Sequence, residues 1–184
     1  MAEVYACLAD GLEEVECLAT ADVLKRGGVN VTLVSISGER KVTGTHGFVI
    51  MADTTLAEAD LGKADVLFLP GGMPGTRYLA ECKPLCEALE KADQEGRRLA
   101  AICAAPSVLG GLGLLEGKKA TCYPGFEAAL AGAEVSGDGV VTDGNITTGR
   151  GLGYALDFGL ELLALLVDEK TASHVKTAIQ YDRI

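Results

Sequence analysis

The chain has 184 residues, which is enough for one domain that buries its own core. Its formal net charge of −10 excludes a nucleic-acid-binding surface, because phosphate binding requires clustered lysines and arginines. Mean hydropathy is +0.25, yet no apolar run approaches the ~20 residues that cross a bilayer. The first residues, MAEVYACLA, lack the basic start of a signal peptide. These features predict a cytoplasmic protein with no nucleic-acid or membrane partner.

The cysteine and histidine content predicts neither a disulfide framework nor a metal centre. Cytosolic thiols stay reduced, so the six cysteines are expected to be free. Cys82 and Cys86 have the spacing of one helical turn, but no second Cys/His pair accompanies them. With only His46 and His174 in the chain, a structural zinc site is not expected.

In chain order, short β-rich runs alternate with longer amphipathic ones, which predicts a parallel sheet covered by helices. Strands are predicted at residues 4–9, 29–36, 66–69 and 99–102, with further strand-like segments near 121, at 140–142 and at 147–148. Helices are predicted at 14–26, 76–95 and 106–114, with a final long helix at 155–167. Residues 41–51 alternate Thr and Val between glycines, which indicates a two-stranded excursion. No repeat, linker or composition break divides residues 1–184, so one domain is expected.

Three features of the chain fall at the carboxyl ends of predicted strands. They are the segment 10–16, the run Pro70-Gly71-Gly72, and Cys103. Ligands of open α/β sheets bind at these strand ends. The three features therefore form one candidate site if their strands are neighbours in the sheet.

Cys103 lies in the run AAICAAP, where a buried strand passes into a helix through one polar residue between alanines. Such a strand-to-helix turn holds a side chain exposed in a strained elbow. The N–H groups at the start of the following helix favour a negative sulfur, which predicts a lowered thiol pKa and a reactive thiolate. The alternative is a small buried core cysteine, and the residues alone leave both open.

The other two features can supply donors and an acid. Gly71 and Gly72 allow a backbone turn whose N–H faces a developing oxyanion, with the N–H of Ala104 as second donor, although a simple tight turn explains them equally. Acids at the start of a helix are ordinary partners of its dipole. Glu16 can instead turn inward, where burial would raise its pKa and let it carry a proton. The sequence does not decide whether Glu13, Glu14 or Glu16 is the glutamate that turns inward.

Four segments in order along the chain resemble the branch of the ThiJ/PfpI superfamily that contains the DJ-one (parkinsonism-associated) and YajL-like proteins. They are GLEEVE at 11–16, LPGG at 69–72, AICAAP at 101–106 and GRGLG at 149–153. The resemblance implies a flavodoxin-like three-layer α/β sandwich, with a mostly parallel sheet and helices on both faces. It also implies that Cys103 is the nucleophile, with Glu16 as a protonated acid beside it and the Gly72 and Ala104 amides nearby.

The resemblance further implies a homodimer whose interface includes Glu14, Arg26 and His46, the last in place of an arginine found in human-like members. Tyr123 and Arg150 are expected as walls of the pocket. Two departures concern histidine. Peptidases of the superfamily carry one directly after the nucleophile, where this chain has Ala104, and human-like members carry one where it has Tyr123. A Cys-His dyad is therefore not expected.

These inferences predict a cofactor-free enzyme that acts on small reactive aldehydes or glycated substrates. Cys103 would add to methylglyoxal, and Glu16 would move the proton that leads to lactate, without glutathione. An oxidative-stress sensor or redox-regulated chaperone, working through oxidation of Cys103, is the main alternative. A third alternative, an intracellular cysteine peptidase, is less favoured because this chain lacks the histidine base. The last alternative is an inactive protein that shares only the fold.

Overall fold

The computed structural model describes residues 1–181 and contains eleven strands, six α-helices and three one-turn 3₁₀ helices within that range. The strands are β1 (Glu3–Leu8), β2 (Asn30–Ser35), β3 (Lys41–Thr43), β4 (Val49–Met51), β5 (Thr54–Thr55), β6 (Val66–Leu69), β7 (Arg98–Ile102), β8 (Lys119–Ala120), β9 (Glu134–Val135), β10 (Val140–Asp143) and β11 (Ile146–Gly149). The helices are α1 (Glu14–Arg26), α2 (Gly75–Glu81), α3 (Lys83–Gln94), α4 (Pro106–Gly111), α5 (Ala155–Leu166) and α6 (Glu169–Ala178). None of these helices has both the length and the apolarity that crossing a membrane requires.

Seven strands form the central sheet in the order β10-β11-β7-β6-β1-β2-β5. All neighbours run parallel except β10, which pairs antiparallel with β11 at one edge. β6 lies in the middle between β1 and β7, and its four residues are fully buried because helices cover both faces of the sheet. The predicted parallel sheet is confirmed. β3 and β4 form a separate antiparallel hairpin, which is the predicted excursion at 41–51.

The core has two halves, one on each face of the sheet. Successive side chains of a strand point to opposite faces, so Val66 and Phe68 of β6 enter one half while Leu67 and Leu69 enter the other. α1, α5 and α6 pack on the first face, where the rings of Phe68 and Phe158 lie 5.6 Å apart. α2, α3 and α4 pack on the second face. The result is the predicted three-layer sandwich.

α1 has the predicted bounds because both of its ends carry strong signals. The Glu13 carboxylate accepts a hydrogen bond from the Glu16 N–H at 2.6 Å and caps the first turn. The helix ends at Arg26, and Gly27 follows as its C-cap. Its position places residues 13–16 at the carboxyl end of β1, next to the ends of β6 and β7.

The predicted helix at 76–95 is wrong as one element, because α2 ends at Glu81 and α3 begins at Lys83. Pro84 lies in the first turn of α3, where its missing N–H costs nothing, whereas inside one continuous helix its ring would clash with the preceding turn.

The two later helix predictions also need correction. α4 ends at Gly111, three residues early, and Gly113 follows with a φ of +73° that a helix cannot accommodate. The predicted final helix is α5, but it is not final. Asp168 accepts a hydrogen bond from the Thr171 N–H at 2.6 Å and starts α6.

Candidate active site

Cys103 follows β7 directly and has a φ of +65°, a backbone conformation that side chains other than glycine rarely adopt. Two backbone hydrogen bonds hold it there. Its N–H donates to the Gly149 carbonyl, and its own carbonyl accepts from the Tyr123 N–H, both at 2.8 Å. Because β11 and the loop at Tyr123 fix this conformation, the half-buried thiol has a defined position at the carboxyl end of the sheet.

Glu16 is the glutamate that turns toward Cys103. Its side chain is 1 % exposed, a hydrogen bond joins its carboxyl group to the Cys103 thiol, and its Oε2 accepts from the Gly71 N–H at 3.1 Å. Burial raises the pKa of this carboxyl group to about 7, although the hydrogen bonds from Cys103, Gly71 and Leu152 oppose the shift. Near neutral pH the group is therefore present in both its protonated and its ionised form.

Burial, followed by the charge and the hydrogen bond of Glu16, raises the pKa of the Cys103 thiol to about 12. The expected lowering by a helix N-terminus is wrong for this arrangement. The N–H groups of Ala104 and Gly72 do donate to the sulfur and lower the pKa, but burial and the adjacent carboxylate outweigh them. A thiolate at Cys103 and a carboxylate at Glu16 repel each other strongly because burial shields them from water.

The two groups consequently titrate as a pair. When Glu16 is protonated, its repulsion of the sulfur disappears, and its O–H can donate to a thiolate. The ionised sulfur is then supported by three donors, which are this O–H and the N–H groups of Gly72 and Ala104. The Cys103 sulfur is therefore favoured as a thiolate only when the shared proton is on Glu16.

Gly71 and Gly72 make this close packing possible. A Cβ at position 71 would lie 2.6 Å from the Cys103 Cβ and 2.7 Å from the Glu16 Oε2. Gly72 has a φ of +91°, and a Cβ there would lie 2.3 Å from the Glu13 nitrogen. Any side chain at either position would therefore separate the strand end from α1 and open the Cys103–Glu16 pair.

A cavity of about 240 Å³ adjoins the pair and is lined by Tyr123, Pro124, Arg150, Gly151, Leu152, Gly153 and Tyr154. Tyr123 and Arg150 thus line one cavity, but Cys103 and Glu16 are not among its lining residues, so their role as walls of the Cys103 pocket stays a prediction. The Arg150 guanidinium, however, donates to the Gly137 carbonyl at 2.6 Å, so it also fastens a loop.

A comparison with families of known proteins shows to which family the chain belongs. The model of the DJ-1/PfpI family matches residues 2–165. The chain belongs to the DJ-1/PfpI family. Protein DJ-1 homolog B of Arabidopsis thaliana is 42 % identical to this chain over 175 residues. The match covers 94 % of this chain but only 40 % of that relative, so this chain spans less than half of the relative's length.

Two further similarities cover nearly whole chains. The glutathione-independent glyoxalase DJR-1.2 of Caenorhabditis elegans is 34 % identical over 167 residues, 89 % of this chain and 88 % of that one. A mutant of a DJ-1 superfamily protein from Salmonella typhimurium has a solved structure that covers 100 % of both chains, with a TM-score of 0.95 at 33 % identity. The α/β sandwich of this family is therefore the fold of the chain.

One contact of the family site was not predicted from the sequence. The Leu152 N–H donates a hydrogen bond to the Glu16 carboxyl group. Leu152 stands between Gly151 and Gly153, and this glycine-rich run was the available signal. The signal indicates close backbone approach but not which N–H faces the carboxyl group.

The three residues expected at a dimer interface do not form one cluster within the chain. The Glu14 carboxylate accepts from the His46 N–H at 2.9 Å, and its Oε2 lies 3.0 Å from the His46 Nδ1. This hydrogen bond raises the pKa of His46. Arg26 lies at the other end of α1, where it pairs with the exposed Asp22 at 2.6 Å. A homodimer interface through these residues stays a prediction.

Neither histidine is placed to serve Cys103 as a base. His46 bonds to Glu14, and His174 is exposed on α6, the helix that packs against α5. Residue 104 is a buried alanine, and Tyr123 is half exposed. The described residues thus offer Glu16 as the acid–base partner of the thiol.

Proposed function

We propose that this protein is a cysteine-dependent, glutathione-independent glyoxalase that converts small 2-oxoaldehydes such as methylglyoxal to 2-hydroxyacids such as lactate. The observation that carries the proposal is the direct hydrogen bond between Cys103 and the buried Glu16, beneath the N–H groups of Gly72 and Ala104. The C. elegans relative named as a glyoxalase supports the same activity. Removal of early carbonyl adducts from glycated substrates would use the same addition in reverse.

The first step is the addition of the thiol to the aldehyde. The Glu16 carboxylate accepts the thiol proton while the sulfur forms a bond to the aldehyde carbon, and the carbonyl π electrons move to oxygen. The N–H groups of Gly72 and Ala104, which face the sulfur, are placed to stabilise that oxyanion. Glu16 then returns the proton to the oxygen, and the product is a hemithioacetal.

The second step moves one proton between carbons. Ionised Glu16 removes the proton from the former aldehyde carbon, the C–H electrons form a carbon–carbon double bond, and the ketone π electrons move to the ketone oxygen to give an enediolate. Glu16 delivers that proton to the former ketone carbon, while the hydroxyl proton passes from the first oxygen to the second, which leaves a thioester of lactate on Cys103. Water then cleaves the thioester, so that methylglyoxal and one water give lactate and the free thiol. A carboxyl group with a pKa of about 7 can both accept and donate in this sequence.

The test is lactate formation from methylglyoxal, followed by mass spectrometry, in the wild type and in Cys103→Ser and Glu16→Gln variants. Both variants are expected to lose at least about a hundredfold in rate, because one lacks the nucleophile and the other the proton carrier. Cys86→Ser is the matched control, since this thiol is also partly buried but bonds to the carbonyls of α2. Equal rates in the wild type and the two site variants would rule out the proposal.

Oxidation of Cys103 is the second candidate function, and the same donors favour it. Cys103 is half-buried, so peroxide can reach it, whereas Cys7, Cys17 and Cys122 are buried. Each peroxide that oxidises the sulfur by two electrons transfers one oxygen atom and leaves water. Glu16 and the two N–H groups would hold the resulting sulfinate oxygens.

Peptide mapping after limited peroxide treatment tests this second function. Cys103 is expected to gain two oxygen atoms before Cys82 and Cys86, which are also partly exposed and serve as internal controls. Earlier oxidation of either control would exclude Cys103 as the sensor.

A further inference from the structure

Two thiols lie one helical turn apart where α2 meets α3, outside the candidate active site. Cys82 is the single residue between the two helices, and Cys86 follows within the first turns of α3. The Cys86 N–H donates to the Cys82 carbonyl at 3.0 Å, which fixes the helical spacing. Both thiols are free and half-buried, whereas three of the other four cysteines are buried. The pair is therefore open to small solutes.

The Cys86 sulfur points back toward Cys82. It lies 3.4 Å from the Ala80 carbonyl oxygen and 3.8 Å from that of Leu79. The Cys82 N–H donates to the same Leu79 oxygen at 3.2 Å, so the sulfur reaches the junction at which Cys82 stands. Burial, followed by the charge of Cys82, raises the pKa of the Cys86 thiol, as expected of two neighbouring sulfurs.

The spacing of Cys82 and Cys86 is too long for a disulfide but suits an ion between the sulfurs. Residues one helical turn apart have Cβ atoms about 5–6 Å apart, whereas a disulfide requires about 3.5–4.5 Å. Metal–thiolate bonds of about 2.3 Å place two sulfurs on opposite sides of an ion up to about 4.6 Å apart. The two side chains can therefore meet at an ion without movement of the backbone.

The start of α3 favours negative charge beside it. α3 runs for 12 residues, and Cys82 is its N-cap. The Cys82 side chain makes no capping hydrogen bond within the described residues. The partial positive charge at the N-terminus of a helix stabilises an anion placed there. Two thiolates around one monovalent cation carry a net charge of −1, which this helix end supports.

We propose that Cys82 and Cys86 bind one Cu(I) ion through their two thiolates. Thiolates are soft ligands that select Cu(I). Structural zinc takes four ligands, and within residues 1–181 no third His, Cys, Asp or Glu ligand atom joins these two sulfurs in a cluster. On binding, each thiol releases one proton to water and each sulfur donates an electron pair to the ion. No electron is transferred, and copper remains Cu(I).

The junction stays open in the homodimer that the family resemblance implies. α2 and α3 pack on the second face of the sheet, whereas α1 packs on the first. A partner bound through α1 therefore leaves the two thiols uncovered. The site is also separate from the Cys103–Glu16 pair, so it does not depend on the reaction proposed there.

The experiment titrates the full-length protein with Cu(I) under anaerobic, reducing conditions, in competition with the chromogenic chelator bicinchoninate. Cys103→Ser is the parent, because it removes the other half-buried thiol. One ion per chain is expected. Cys82→Ser and Cys86→Ser are each expected to weaken binding at least about a hundredfold, since a single donor loses the gain of two linked ones. Cys122→Ala, which removes a buried thiol, is the matched control and should bind as the parent does.

Alkylation of the unmutated chain gives a second readout that needs no variant. Bound Cu(I) is expected to protect Cys82 and Cys86 together from iodoacetamide, which peptide mapping measures. X-ray absorption of the copper in the Cys103→Ser parent should show two sulfur ligands. Absence of binding in competition with the chelator, unchanged affinity in either serine variant, or protection of only one of the two thiols would overturn the proposal. Copper bound to nitrogen and oxygen alone would overturn it as well.

Discussion

At the scale of residues, the chemistry of the site depends on one proton shared between Cys103 and Glu16. Burial is the largest cause of both raised pKa values, about 12 for the thiol and about 7 for the carboxyl group. The charge of Glu16 also raises the thiol pKa, whereas the hydrogen bond from the thiol lowers the carboxyl pKa, so the pair keeps one proton over a wide pH range. The nucleophile Cys103 and the acid Glu16 therefore form a hydrogen-bonded pair that needs no histidine.

The first prediction concerns Gly71, whose missing side chain lets the pair meet. In Gly71→Ala the new Cβ overlaps the Cys103 Cβ and the Glu16 Oε2, so the two groups must move apart. Lactate formation is expected to fall at least about tenfold, and overpacking should cost about 1–3 kcal/mol of unfolding free energy in urea. Gly38→Ala, where a Cβ meets no atom within 4 Å, is the control. Wild-type activity in Gly71→Ala would contradict the account.

At the scale of elements, capping and burial patterns show what the sequence can predict. The bounds of α1 and β6 were predicted correctly, because a glutamate and a glycine bracket the first and an unbroken apolar run marks the second. The break between α2 and α3 was missed although Pro84 signals it, since the amphipathic pattern continues across the break.

Contacts between distant segments explain what the sequence could not predict in the site. Cys103, Glu16 and the glycines were identified from their motifs, and the structure joins them. The thiol pKa was predicted in the wrong direction, because it depends first on the burial of Cys103 and then on the charge and hydrogen bond of Glu16, which come from a distant part of the chain. The contact between Glu14 and His46 was likewise not predicted from the sequence, since 32 positions separate the two residues.

The second prediction tests the cap of α6. The N–H of Thr171 lowers the pKa of Asp168, so the ionised form stabilises the folded state. Because the folded pKa lies below the unfolded value of about 3.9, this stabilisation is complete above that pH and is lost as the pH falls. Asp168→Ala should therefore lower the urea midpoint at pH 7 and differ less from the wild type near pH 3.

Ser173→Ala, on the exposed side of the same helix, is the control for Asp168→Ala and should leave the urea midpoint nearly unchanged. A midpoint difference between Asp168→Ala and the wild type that stays constant from pH 7 to pH 3 would show that the charge of Asp168 does not cap the helix.

At the scale of the whole molecule, an apolar surface extends from α1 to the β3–β4 hairpin. Val15 and Leu18 are 50 % and 45 % exposed one helical turn apart, and the hairpin exposes Phe48 and Met51 at 70 % and 63 %. Large apolar side chains grouped on one surface are typical of protein interfaces. The surface lies between Arg26 at one end of α1 and the Glu14–His46 contact at the other, which is where the family resemblance implies a homodimer.

The third prediction is that the protein sediments as a dimer and that Leu18→Asp shifts it to monomer, because a charge there would be buried without a partner. Sedimentation velocity over a range of concentrations measures this. Val167→Asp is the matched control, since Val167 is 46 % exposed at the end of α5, outside the proposed interface. Identical sedimentation of the two variants would remove α1 from the interface.

The coupling of Cys103 to Glu16 is tested most directly by the pH dependence of Cys103 alkylation in the wild type and in Glu16→Gln. The charge and hydrogen bond of Glu16 both raise the thiol pKa, so the neutral glutamine is expected to bring it below the wild-type value of about 12 and to speed alkylation above pH 8. The same variant should make almost no lactate, because glutamine carries no proton. An alkylation profile that is unchanged, or shifted to higher pH, would contradict the account.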